Sequence, residues 1–272
     1  MLEFFSESFV LNALKASLIV GIFLSYLGVH VVGRGIVFVD LALGQISMLG
    51  IAIANYFGYD ATLFSLALTM VAAFFLSLIN IRDKRLKQEA VIGIIYAVAS
   101  AATVLLIAKS PHGDSDISEV LFGSLFTVST ESLTMMAILF GLLGIVHFLF
   151  RKKFFELTES IEEDSTRRPG VFKIWNFLFF LSIGVSIVFA VRAGGVIPVF
   201  SYLIIPPVSA IMVARSRVAV VVLAIVASVL GSVLGLIFAL QFDFPAGSSI
   251  VAMLGLVFVA FSVLRFMLRP RR

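Results

Sequence analysis

Residues 34–55 read RGIVFVDLALGQISMLGIAIAN. The stretch is apolar enough to cross a membrane, yet Asp40, Gln45 and Ser47 lie in its interior. A polar side chain in hydrocarbon is costly unless a partner satisfies it. This helix is therefore expected to face protein or a water-filled path on at least one side, and the rest of the chain to support it. At 100° per residue, Asp40, Gly44 and Ser47 share one face, while Leu41, Gln45 and Met48 share another. Helical rise from Arg34 places Asp40 roughly 9 Å in, near one end, and Gln45 roughly 16 Å in, near the midplane. An ordinary interface carboxylate, paired near Arg34, is one reading of Asp40. The path-lining candidates are Gln45, Asp40, Ser47 and Met48.

The surrounding chain is of the same kind. Of 272 residues, 61% are apolar and 13% charged, against about 25% charged in soluble domains. This is the composition of a polytopic membrane protein in one domain, 1–272, and the basic excess of four charges is assigned to loops rather than to a nucleic-acid surface. Cysteine is absent, which excludes disulfides, thiolate metal sites and CxxC redox chemistry. The start, MLEFFSES, lacks a basic n-region and does not read as a cleaved signal peptide.

At roughly 20 residues per crossing, the apolar pattern predicts an all-α protein of about eight or nine transmembrane helices. The candidates lie near 9–32, 36–57, 61–81, 89–109, 130–150, 172–191, 195–214, 218–240 and 247–267. With the N-terminus outside, 17 of the 20 Lys and Arg fall on the inner side, as the positive-inside rule requires. The C-terminus is then cytoplasmic. Ile117 to Phe126 is apolar but too short to cross, and is expected to be re-entrant or interfacial. Pro198, Pro206 and Pro207 interrupt the seventh candidate, so a broken helix is expected there. Its end would turn and present Arg215 and Arg217 to a soluble partner.

Catalytic patterns do not occur. There is no HExxH, no P-loop GxxxxGK[ST] and no catalytic carboxylate pair, and His30, His112 and His147 are scattered. The chain reads as a transporter without its own ATPase site, not as an enzyme.

Five stretches carry a family likeness in order and spacing. They are GRGIVFVDLALGQISMLGIAIA, EAVIGIIYAVASA, SEVLFGSLFTVS, GGVIPVFSYLIIPPVSAIMVARS and FDFPAGSSIVAMLG. Together they resemble the ABC-3 permeases, the membrane subunits of zinc, manganese and iron importers. The resemblance implies a fold similar to vitamin B12-type importer permeases and a homodimer embedded in membrane lipid. It implies a cytoplasmic ATP-binding cassette subunit that uses ATP, so that this chain binds no cofactor itself. It also implies an extracytoplasmic metal-binding solute-binding protein, and residence in a bacterial or archaeal cytoplasmic membrane. The region of Pro206, Pro207, Arg215 and Arg217 matches where the ATPase is expected to couple. In such permeases the second helix commonly reads like GDALSHAVLPG. Aligning its glycine on Gly50, the preferred register, puts Leu41 at the Asp position and Gln45 at the His position; sliding by one to match Asp40 puts Gly44 at the His position and loses the glycine match, so in neither register is the metal-path Asp/His pair preserved, and the metal is left open. A stand-alone secondary transporter driven by an ion gradient is the alternative. It calls for ionisable residues near the midplane, and only Asp40 and Lys15 offer themselves.

Overall fold

The computed structural model describes residues 7–79, 88–108, 123, 125–159 and 170–268. Every regular element among them is helical. They are α1 (Ser8–Gly33), α2 (Val39–Phe57), α3 (Ala61–Leu78), α4 (Gln88–Ile107), a 3-10 turn (Leu125–Thr127), α5 (Thr130–Leu149), α6 (Arg151–Glu159), α7 (Gly170–Gly194), α8 (Val196–Val213), α9 (Arg217–Phe242) and α10 (Ala246–Met267). All but α6 are long and apolar enough to cross a membrane, nine candidates among the described residues. Most of Ile117 to Phe126 lies outside the described residues.

Helix starts follow local chemistry. Asp60, Ser129 and Ser216 accept hydrogen bonds from the backbone N–H three residues on, capping α3, α5 and α9. Gly195, at φ 81°, is the single residue between α7 and α8, a conformation that L side chains avoid.

Contacts at helix ends sort the bundle into two poles. At one, Asn176 of α7 accepts from Arg34 and donates to Ser77 O of α3, and Arg217 of α9 pairs with Glu159 of α6 at 2.5 Å. At the other, Asn12 of α1 donates to Thr130 of α5, and Arg192 of α7 to Thr62 of α3. Successive spans therefore run in alternate directions, as the loop charges predicted. The core is α1, α2, α7 and α8: 67% of the most apolar stretch of α1 is buried, against 17% for α4 and α10.

Lipid tails are as apolar as leucine, so close approach and hydrogen bonds must hold such helices together. Small residues provide the approach. An added Cβ at Gly50 of α2 would stand 2.7 Å from Ser65 Cα of α3. One at Gly28 of α1 would overlap the Leu203 carbonyl and come within 2.7 Å of Pro207 Cγ in α8. Between α8 and α9, Tyr202 Oη meets Ser232 Oγ at 2.5 Å, while its ring fills the space left by Gly21.

Two expectations are corrected. The proline-rich segment is one continuous helix, Val196–Val213, with Pro206 and Pro207 inside it. The prolines remove two backbone donors, which frees the carbonyls of Tyr202 and Leu203 without ending the helix. The Leu203 carbonyl is then covered by the bare Cα of Gly28. Second, α2 starts at Val39 rather than near 36, because residues 34–38 form turns.

Gly50→Val should lower the melting temperature of the detergent-solubilised protein by about 5 °C, the scale of a core overpacked by about 1–3 kcal/mol. Gly141→Ala, where an added Cβ meets nothing within 4 Å, should leave it unchanged. Thermal unfolding of the two variants checks this.

Candidate functional site

α2 carries the candidate path residues because its neighbours surround it. It packs on α3 and α4 along one side, and on α7 and α8 along the other. Gly44 faces Ile187 and Val191 of α7 and Val196 of α8, each at ordinary van der Waals distance from an added Cβ. Gly44, in the second turn of α2, is therefore level with the last two turns of α7, closer to the pole of Arg192 than the helical count from Arg34 suggested. The turns at 34–38 account for the shift, since non-helical backbone covers more than 1.5 Å per residue.

All four α2 candidates are buried: Asp40, Gln45, Ser47 and Met48. They play different parts. Ser65 Oγ donates to the Ser47 carbonyl and receives the Ser47 hydroxyl, both at 2.9 Å, so Ser47 fastens α2 to α3. Met48 belongs to the main hydrophobic core. Asp40 is 2% exposed, and neither carboxylate oxygen has a hydrogen-bond partner among the described residues. No ion pair joins it to Arg34, whose guanidinium reaches Asn176 and lies 4.6 Å over the Phe179 ring. This corrects the paired reading of Asp40, and the turns that separate α1 from α2 are again the reason. Asp40 stands in the first turn of α2, where the helix dipole favours negative charge. Gln45 is 5% exposed and makes no hydrogen bond to another described residue. Among the described residues, a carboxylate and an amide without hydrogen-bond partners thus occupy successive turns of one enclosed helix, on different faces of it. Both are oxygen donors, the ligand type suited to hard divalent cations.

The other four candidates separate. Pro206 and Pro207 are buried in α8, and Pro207 lies against α1. Arg215 and Arg217 are exposed at the turn from α8 to α9. Arg217 is held by Glu159 and lies 5.9 Å over the Phe155 ring.

A cleft of about 310 Å³ opens at the pole of Arg192, lined by Thr62, Ser129, Ser132, Met135 and Arg192 among others. Nearer the opposite pole, the structure joins two histidines that are 117 positions apart. His30 and His147 are both buried, and Tyr26 touches each edge-on, with ring centroids at 5.1 and 5.5 Å. His147 stacks on Phe154 at 3.9 Å. Thr158 donates to Phe154 O, so its oxygen accepts from His30 Nδ1 at 2.8 Å, which fixes the proton on that nitrogen. No spacing motif signalled this cluster, because its members come from three helices. No group of three or more His, Cys, Asp or Glu able to hold a metal occurs among the described residues.

The model of the ABC 3 transport family matches residues 6–265. Among curated relatives, the chain is 25% identical over 272 residues to "Manganese transport system membrane protein MntC" of Halalkalibacterium halodurans, covering 99% of this chain and 90% of that one. It is 27% identical to "Probable iron transport system membrane protein" of Haemophilus influenzae, covering 95% and 91%. The solved structure "PsaBC from Streptococcus pneumoniae in complex with Fab" superposes with a TM-score of 0.80 at 23% identity, covering 99% of this chain and 97% of that one. At that identity the superposition establishes the shared permease fold. With the family model spanning nearly every described helix, this multi-pass membrane protein belongs to the ABC 3 transport family.

Proposed function

We propose that the chain is the permease subunit of an ATP-binding cassette importer and passes a divalent metal ion, manganese or iron, along α2. The observation that carries this reading is the enclosed pair Asp40 and Gln45, buried and without hydrogen-bond partners among the described residues. Burying the Asp40 carboxylate unsatisfied costs at least about 1–3 kcal/mol, a cost that a transient cation ligand would offset. Carboxylate and amide oxygens suit manganese better than zinc, which favours imidazole and thiolate. The names of the curated relatives support the same cargo class.

The remaining assignments complete the reading. The chain is a single permease domain that works as a homodimer in the cytoplasmic membrane, with the pole of Arg215 and the C-terminus inside. A separate ATPase subunit binds ATP and meets the exposed turn at Arg215 and Arg217, and closure of that ATPase moves α8. Pro206 and Pro207, packed where α8 crosses α1, transmit the movement rather than touch the ATPase. A metal-binding solute-binding protein delivers cargo at the opposite pole, beside the cleft at Arg192.

Gln45→Ala, assayed as ATP-dependent manganese uptake into vesicles containing the chain and its cognate ATPase, should slow uptake roughly tenfold, the factor that corresponds to about 1.4 kcal/mol of lost ion contact. Gln45→His should shift preference toward zinc. Uptake indifferent to both changes would move the path off α2. Arg215→Glu should abolish co-purification of the ATPase while leaving the permease folded, and full retention of the ATPase would remove this turn from the coupling surface.

A further inference from the structure

A second concavity lies on the lipid-facing surface. It is a groove of about 430 Å³ between α1, α5, α6 and α9, within the size range of small-molecule sites. Its walls are carbon: Phe23, Gly144, Phe148, Val222 and Ile225 among others. Two walls are strongly exposed, with Phe148 at 67% and Val222 at 51%, so they face hydrocarbon in a bilayer. Charge appears only where α6 and the start of α9 close the groove, at Arg151 and Arg217.

The two arginines are held in place. Arg151 lies 4.9 Å over the Phe148 ring and donates weakly to Phe148 O at 3.4 Å. No carboxylate among the described residues pairs with it. Arg217 spends part of its fork on Glu159 at 2.5 Å, leaving donors over, since a guanidinium carries five. The result is an apolar slot that opens to the acyl region, with one cation that no described carboxylate pairs and one partly neutralised cation at the headgroup level.

The geometry points to a bound phospholipid with an anionic headgroup. Its phosphate and headgroup sit against Arg151 and Arg217, and one acyl chain lies along the slot past Gly144. Basic pockets between membrane helices at the cytoplasmic side select anionic lipids by this arrangement. A nonionic detergent would satisfy the walls and leave Arg151 unanswered, and a zwitterionic lipid would bring a choline cation to the same pair of arginines. That the lipid comes from the inner leaflet rests on the orientation proposed above, while the site itself rests on neither orientation nor transport. Occupancy would tie α6 to the start of α9, beside the exposed turn at Arg215.

The test is native mass spectrometry of the full chain, purified in detergent and exposed to an equal mixture of dioleoyl phosphatidylglycerol and dioleoyl phosphatidylcholine. The wild type should retain one phosphatidylglycerol per chain in preference to phosphatidylcholine. Arg151→Gln should lower phosphatidylglycerol retention roughly fivefold, the effect of one charge near an anionic headgroup, and lower phosphatidylcholine retention by less. Gly144→Leu, which enters open space, should fill the slot and reduce retention of both. Equal retention of the two lipids by the wild type, or unchanged retention in Arg151→Gln, overturns the proposal. The chain has no cysteine, so Gly144→Cys introduces a single thiol. A disulfide-linked dimer through it would place a second copy over the groove and overturn the proposal as well. Because a detergent micelle has no leaflets, the test does not depend on orientation, and failure here leaves the importer reading standing.

Discussion

In a bilayer the solvent is as apolar as the side chains that face it, so contact between helices gains little from burying leucine. What holds this bundle is the close approach that small residues permit. Gly50 against Ser65 fastens α2 to α3, Gly28 against Leu203 and Pro207 fastens α1 to α8, and Gly21 gives the Tyr202 ring its place. Buried serines serve the same end. Ser186, Ser201, Ser209 and Ser232 each donate to a carbonyl four residues back in their own helix, so their hydroxyls are satisfied without keeping neighbouring helices apart.

That economy defines the exceptions. Most buried hydroxyls in the core are paired; among the described residues those of Tyr26, Thr69 and Ser249 are not, and neither are the His147 imidazole and the carboxylate of Asp40. Its place on α2, enclosed by four other helices, depends on the same glycine contacts. If α2 stood away from α3 and α7, Asp40 and Gln45 would face lipid. Close packing thus sets both the stability of the fold and the seclusion of its polar helix. The α8 prolines extend the argument: a helix missing two backbone donors survives because Gly28 lets α1 cover the freed carbonyl.

Surface chemistry follows from pole and depth. Cations gather at the pole of Arg34, Arg151 and Arg217, where Phe179, Phe148 and Phe155 support their guanidinium planes. At the other pole, Tyr59 stacks on Phe57 and Phe64, a group of rings suited to the membrane–water boundary.

Helix number, alternation and family were legible in the chain alone, because hydrocarbon thickness and loop charge act on short, contiguous stretches. The choice of α2 as the polar helix was legible for the same reason: an Asp and a Gln among apolar residues stand out in any register. What tertiary structure decided was partnership. Whether Asp40 pairs with Arg34, whether a Pro-Pro pair breaks its helix, and whether His30 meets His147 depend on which helices lie side by side. Those contacts join residues up to 142 positions apart, as Arg34 and Asn176 show. A pattern with a period of 3.6 residues specifies which face of a helix is buried and carries no information about the neighbour that buries it.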